Sequence, residues 1–214
     1  EESRLESLKN ITERYDGYGN SIRRVMEQKK RVPGIRGVVA DILKVEKEYE
    51  TAIETALGGS IQNIVTDNED TAKELIGFLK KNKYGRATFL PLTSMNNKKS
   101  LNNPQVLKEP GVIGIASELV KVAEEYQGLA VYLLGRTLVV DHIDQGIKIA
   151  RKYHYNIRMV TLEGESLNPG GSLPGGSFKN NSNFLGRRRE IEERQDNVDA
   201  LNKDMAEMTQ HLAE

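Results

Sequence analysis

The 214-residue chain carries 31 basic and 31 acidic residues, so no net field draws it to nucleic acid or an anionic membrane. It has no cysteine, which excludes disulfides, thiol nucleophiles and cysteine-ligated zinc and fits a reducing, cytoplasmic setting. No apolar run approaches the roughly 20 residues of a membrane span, and charged residues at 29% against aromatics at 6% point to some extended, solvated helix.

In chain order, Leu5, Leu8, Tyr15, Ile22 and Met26 fall on the a and d positions of a helix, interrupted at Thr12 and Gly19. The run from Tyr15 to Gly19 loosens that helix, since each interior glycine costs about 1 kcal/mol relative to alanine. An α/β stretch follows over residues 35–176. Val38 to Leu43 reads as a strand, Glu46 to Leu57 as a helix closed by Gly58 and Gly59, and Ile61 to Thr66 as a strand. Asp70 to Lys81 reads as a helix and Ala87 to Leu92 as a strand. Ser94 to Gln105 has the residues of a loop.

The pattern then recurs. LGGSIQNIVTDNEDTAKELIGFLKKNKYGRATFLPL (57–92) aligns with LGRTLVVDHIDQGIKIARKYHYNIRMVTLEG (134–164), each running helix end, glycine, strand, acidic turn, helix, strand. Two related halves, about 32–93 and 106–178, imply two similar sheets and several edges to be covered or paired. Asp67, Glu69 and Asp70, like Asp141 and Asp144, fall where a strand gives way to a helix, the place of capping carboxylates rather than of metal ligands. His142, His154 and His211 are scattered without ligand spacing, and Tyr49, Tyr126 and Tyr132 suit core or interface positions.

Gly164, Gly170, Gly171, Gly175 and Gly176 crowd the segment 162–177. Such doublets allow positive φ and close backbone approach. Three readings stand: a nucleotide loop in a small α/β ligand-binding domain, a flexible linker, and a protein–protein edge. The first lacks the Gly-Lys-Ser/Thr of a P-loop, and the second does not account for evenly spaced doublets directly after a strand. Beyond residue 186 there is no glycine or proline. Ile191, Val198, Met205 and Leu212 recur every seven residues, with Leu201 and Met208 between them and Arg194 as the polar entry. The ends, 1–31 and 181–214, read as two stubs of an antiparallel coiled coil around a hinge-like globule at 32–180, and as a segment cut from a longer protein. Two helices lying on the globule are the plainer alternative.

YDGYGNSIRRVME (15–27), the stretch GIRGVVADILKVEKEYETAIETALGGSIQNIVTDNEDTAKELIGFLKKNKYGRATFLPL (34–92) and MVTLEGESLNPGGSLPGGS (159–177) together resemble the hinge of bacterial SMC chromosome-organising proteins. The resemblance runs collinearly from about residue 15 to 190. It implies an α/β homodimerisation domain joining two coiled-coil arms into a ring or V, with Gly170, Gly171, Gly175 and Gly176 at the dimer contact. It also implies a role in chromosome condensation and segregation at the nucleoid. The family's ATPase lies elsewhere in the whole protein, so no catalysis, cofactor or metal is expected of this segment, and accessory subunits would attach through other parts. Many bacterial relatives carry a lysine run after the second glycine doublet; here Lys179 is followed by Asn180, Asn181, Ser182 and Asn183.

Local charge is uneven. Arg23, Arg24, Lys29, Lys30, Arg31 and Arg36 face only Glu27, and Lys179, Arg187, Arg188 and Arg189 have no acid among them. These segments are expected to meet where coil enters globule and to contact DNA phosphates weakly and without sequence preference. Glu190, Glu192 and Glu193 offer the arginines an alternative in ordinary helix ion pairs.

Overall fold

The computed structural model describes residues 2–95, 101–177 and 183–213, the side chains of 211–213 excepted. The chain opens with α1 (Glu2–Glu13) and α2 (Asn20–Met26). The first half contains β1 (Ile35–Val38), α3 (Val39–Ile42), β2 (Lys44–Val45), α4 (Glu50–Leu57), β3 (Ile64–Thr66), α5 (Glu69–Asn82) and β4 (Phe89–Pro91). The second contains β5 (Val112–Ile115), β6 (Val120–Lys121), α6 (Gln127–Leu134), β7 (Thr137–Val140), α7 (Ile143–Lys152), β8 (Arg158–Thr161) and β9 (Ser166–Leu167). A long helix, α8 (Phe184–Ala213), closes the chain.

The duplication is real in three dimensions. Each half has an outer strand antiparallel to a central one, with a third strand parallel to the centre: β1-β3-β4 and β5-β7-β8. Each parallel pair is joined by one helix, α5 or α7. Even the irregularities repeat, with register shifts between Ile35 and Gly37 and between Val112 and Gly114. The halves are tied by β2 and β6, which pair antiparallel with each other. Among the described residues the second half alone adds a fourth strand, β9.

The expected carboxylate caps are not what the structure shows: α5 is capped by the amide of Asn68, α7 has no side-chain cap, and the acids brace the turns instead. Asn68 Oδ1 accepts the Thr71 N–H at 3.0 Å, while Asp67 Oδ1 takes the Thr71 hydroxyl at 2.6 Å and the Asn68 N–H at 2.8 Å. In the second half Asp141 Oδ1 accepts the His142 N–H at 2.7 Å. A glycine closes over each turn. A Cβ on Gly34 would lie 2.6 Å from Asp67 Oδ1, and one on Gly111 2.6 Å from Asp141 Oδ1.

Two local expectations change. Val38, Val39, Ala40 and Leu43 are all buried, and such a continuous apolar run does not separate strand from helix. The strand ends at Val38 and a helical turn takes Val39 to Ile42. The single N-terminal helix is broken, with Tyr15 at φ 53° and Gly17 at φ 94° in the left-handed region. Ile22 and Met26, assigned to a coil seam from their spacing, lie with Val25 in the globular core. That core spans both halves and takes in Phe184 and Leu185 of α8. A smaller cluster under α7 contains Val106, Leu138, Val140, Ile149 and Leu167.

Candidate self-association edge and basic junction

The junction of α8 with the globule is built from side chains on three elements. Asn183 Oδ1 accepts the Gly186 N–H at 2.9 Å and Glu54 of α4 accepts the Leu185 N–H at 2.9 Å, so two orphan donors of the helix start are met. Tyr18 packs on Phe184 with the rings tilted and their centroids 4.4 Å apart, and meets Tyr15 edge-on at 5.3 Å. Arg187 donates to the Asp16 carbonyl at 3.0 Å, pinning the helix break to α8. Further out, α1 packs on α8 with Leu5 and Val198 buried and Lys9 bonded to Gln195. Arg194 lies against Glu190 at 2.9 Å. From Asp199 to Gln210 every side chain is exposed, including Leu201, Met205 and Met208. Leu212 is outside the described side chains.

The structure divides the predicted basic residues into two kinds. Arg187, Arg188 and Arg189 are tied into the protein. Arg189 is paired with the buried Glu50 and with Glu193 at 2.8 Å, and Arg188 lies 3.7 Å from Glu192. Arg24 sits 5.0 Å over the Tyr84 ring and 3.4 Å from Glu27. Arg23, Lys29, Lys30 and Arg31 are exposed. Lys179 lies outside the described residues. Sequence reasoning missed two members of the surface, Lys44 and Lys121, which the β2–β6 pairing sets directly opposite each other. With Lys29, Arg36 and Arg188 they line a cleft of about 530 Å³ whose acids are Asp41 and Glu13. Exposed pairs with Glu192, Glu46 and Glu125 balance Lys44, Lys121 and Arg36. In this cleft burial raises the Asp41 carboxyl, against Arg188 and the Tyr15 hydroxyl, which donates to it at 3.2 Å. Burial also raises Glu54, opposed by the Leu185 N–H.

The glycine segment folds back as a hairpin on the edge of the second sheet. The Asn168 N–H donates to Ser172 O at 3.0 Å and the Ser166 N–H to Pro174 O at 2.8 Å, so residues 172–174 run beside β9. Gly170 and Gly171, at φ 88° and 99°, make the turn. Leu173, between the two bonded positions, is 52% exposed and its backbone has no partner among the described residues. Gly175 and Gly176 are exposed beyond it. In the first half the equivalent of β8 is β4, with no further strand paired on it among the described residues. Neither a cluster of His, Cys, Asp and Glu able to hold a metal nor a helix long and apolar enough to cross a membrane occurs among the described residues.

Residues 32–150 match the model of the SMC proteins flexible hinge domain. The chain belongs to this family. It is 42% identical over 211 residues to the chromosome partition protein Smc of Desulfitobacterium hafniense and 37% identical over 214 residues to that of Bacillus subtilis. It spans 96% and 99% of its own length in these matches but 18% of each relative's. Among solved hinges, an asymmetric dimer of the Geobacillus stearothermophilus SMC hinge domain superposes with TM-score 0.88 at 35% identity, covering 96% of this chain and 84% of that one. The Pyrococcus furiosus SMC hinge domain superposes with TM-score 0.62 at 30% identity, covering 84% and 91%. The hinge fold of those proteins accounts for the duplicated sheets, and α8 leaves it as a coiled-coil stub.

Proposed function

We propose that this hinge joins two copies of its chain into a homodimer and so couples the coiled-coil arms of a chromosome-partitioning protein. The observation that carries the reading is the unpaired edge at Leu173, held outward by bonded neighbours on either side. An unpaired strand edge is a template for another strand, and exposed glycines at 175 and 176 leave room for a second backbone. A two-fold pair sets the glycine edge of one copy against the β4 edge of the other, twice, which closes a ring and pairs both of these edges. Gly170 and Gly171 then shape the edge, while Gly175 and Gly176 lie against the partner. Beyond Val198 the apolar line of α8 suits the second helix of an arm.

DNA contact belongs to the exposed part of the junction: Arg23, Lys29, Lys30 and Arg31, extended by Lys44 and Lys121. Arg187, Arg188 and Arg189 position α8 and contribute long-range charge, and Arg24 is held over Tyr84. Binding of this kind is set by phosphate contacts, is weak and falls steeply with salt. The role is mechanical, with no catalytic step assigned to the hinge. Light scattering over a concentration series tests the dimer. A constant mass near 48 kDa, twice the 24.0 kDa chain, is expected, and 24.0 kDa throughout would overturn the reading.

A further inference from the structure

A second cleft, of about 640 Å³, opens at the amino ends of β7 and β8. Its lining includes Arg136, Arg158, Tyr132, Asn102, Asn103 and Asn156, and no acid. The strand register sets Thr137 beside Arg158, so Arg136, the residue before β7, and Arg158, the first of β8, stand at the amino ends of neighbouring parallel strands. Neither arginine has an ion-pair partner among the described residues, unlike Arg188 and Arg189 at the junction. Tyr132, on α6, is 51% exposed although the same helix buries Leu129, Ala130 and Leu134.

Two unpaired guanidinium groups in a concavity offer forked donors that match phosphate oxygens. An exposed aromatic face at the same cleft offers a stacking surface for a planar ring. The asparagine amides provide donors and acceptors for the edge of such a ring. The volume falls within the range of small-molecule sites, about 300–1,000 Å³. We infer that this cleft takes a nucleotide unit, its phosphate on Arg136 and Arg158 and its base on Tyr132, in the form of a free mononucleotide. The site contains none of the glycines of the 170–176 segment and shares no residue with the basic junction. Its failure would therefore leave the dimer and DNA readings standing.

Calorimetric titration with 5′-AMP tests the site, with ribose 5-phosphate and a single-stranded oligothymidine as companion probes. Saturable AMP binding is expected, with ribose 5-phosphate about tenfold weaker for want of a stacked base. Arg136→Ala/Arg158→Ala is expected to abolish binding, Arg158→Lys to weaken it by loss of the fork, and Tyr132→Leu to weaken AMP about tenfold while leaving ribose 5-phosphate unchanged. Circular dichroism and solution mass of each variant are expected to match the parent. The inference is overturned by absence of AMP binding at millimolar concentration, by equal affinity in the double variant, or by oligothymidine binding that AMP does not displace.

Discussion

Replacing Arg189 by alanine separates the two meanings of the arginine run at the start of α8. The Glu50 side chain is 9% exposed and Arg189 is 25% exposed, so the substitution strands a carboxylate with little access to water. Breaking a buried pair on one side costs about 3–5 kcal/mol. Glu50 lies in the first turn of α4, where free N–H groups favour a carboxylate, and Arg189 is partly solvated, so about 2–3 kcal/mol is expected here. With a urea m-value of about 2–3 kcal/mol/M, the midpoint should fall by about 1 M at fixed protein concentration and unchanged m. Glu50→Gln/Arg189→Met removes both charges and should recover most of the loss. DNA affinity of Arg189→Ala, measured where the protein is fully folded, should change little. A stability loss below about 0.5 kcal/mol, together with a marked loss of DNA affinity, would refute the structural assignment and return Arg189 to the phosphate-contacting set.

Gly111→Ala places a Cβ against Asp141 at a φ of 84°, so strain and overpacking together should cost about 2–4 kcal/mol in thermal or urea unfolding. Asp41→Asn should stabilise the hinge at neutral pH. Burial raises the folded carboxyl, so its charged form disfavours folding above that raised value and the cost vanishes below the ordinary 3.8. The variant's advantage in urea titrations should therefore grow as pH rises through 3.8 and then level off; a constant difference at all pH values would contradict it. Leu173→Asp should yield a folded 24.0 kDa monomer in light scattering, and an unchanged dimer would remove Leu173 from the mating edge. Lys30→Glu/Arg31→Glu should weaken duplex binding and flatten its log–log salt dependence by about 2 units, with no change in the unfolding midpoint.

The local chemistry of the chain was legible from residue types. The repeated strand–acidic turn–helix–strand unit appears as two sheets with the same strand senses and the same bulges. Polar residues between strand and helix do mark the helix starts, but the cap on α5 is the amide of Asn68, while Asp67 and Asp141 bond the N–H of the residue that follows each of them. The glycine doublet at 170 and 171 does turn the chain, because a positive φ is open to glycine at little cost. Seven-residue spacing likewise identified α8 as one long helix.

Spacing alone did not reveal which apolar stripe meets which partner. Ile22 and Met26 match the heptad but serve the globular core, since the break at Tyr15 and Gly17 turns α2 away from α1. Leu201, Met205 and Met208 keep the period and stay exposed within this chain. Nor is charge a contact. Arg187, Arg188 and Arg189 read as a free basic run until Asp16, Glu192 and Glu50 are folded against them. Lys44 and Lys121 carry no local signal at all, and become neighbours only because two short strands, one from each half, pair across the middle of the molecule. The sequence by itself determined most of the elements, the 38–43 segment and the break in the first helix excepted, together with their duplication and the segment that turns at the sheet edge, since these depend on backbone preference and period. Tertiary structure alone decided which charges are spent inside the protein and which edge is left without a partner, since both depend on residues brought together from far apart in the chain.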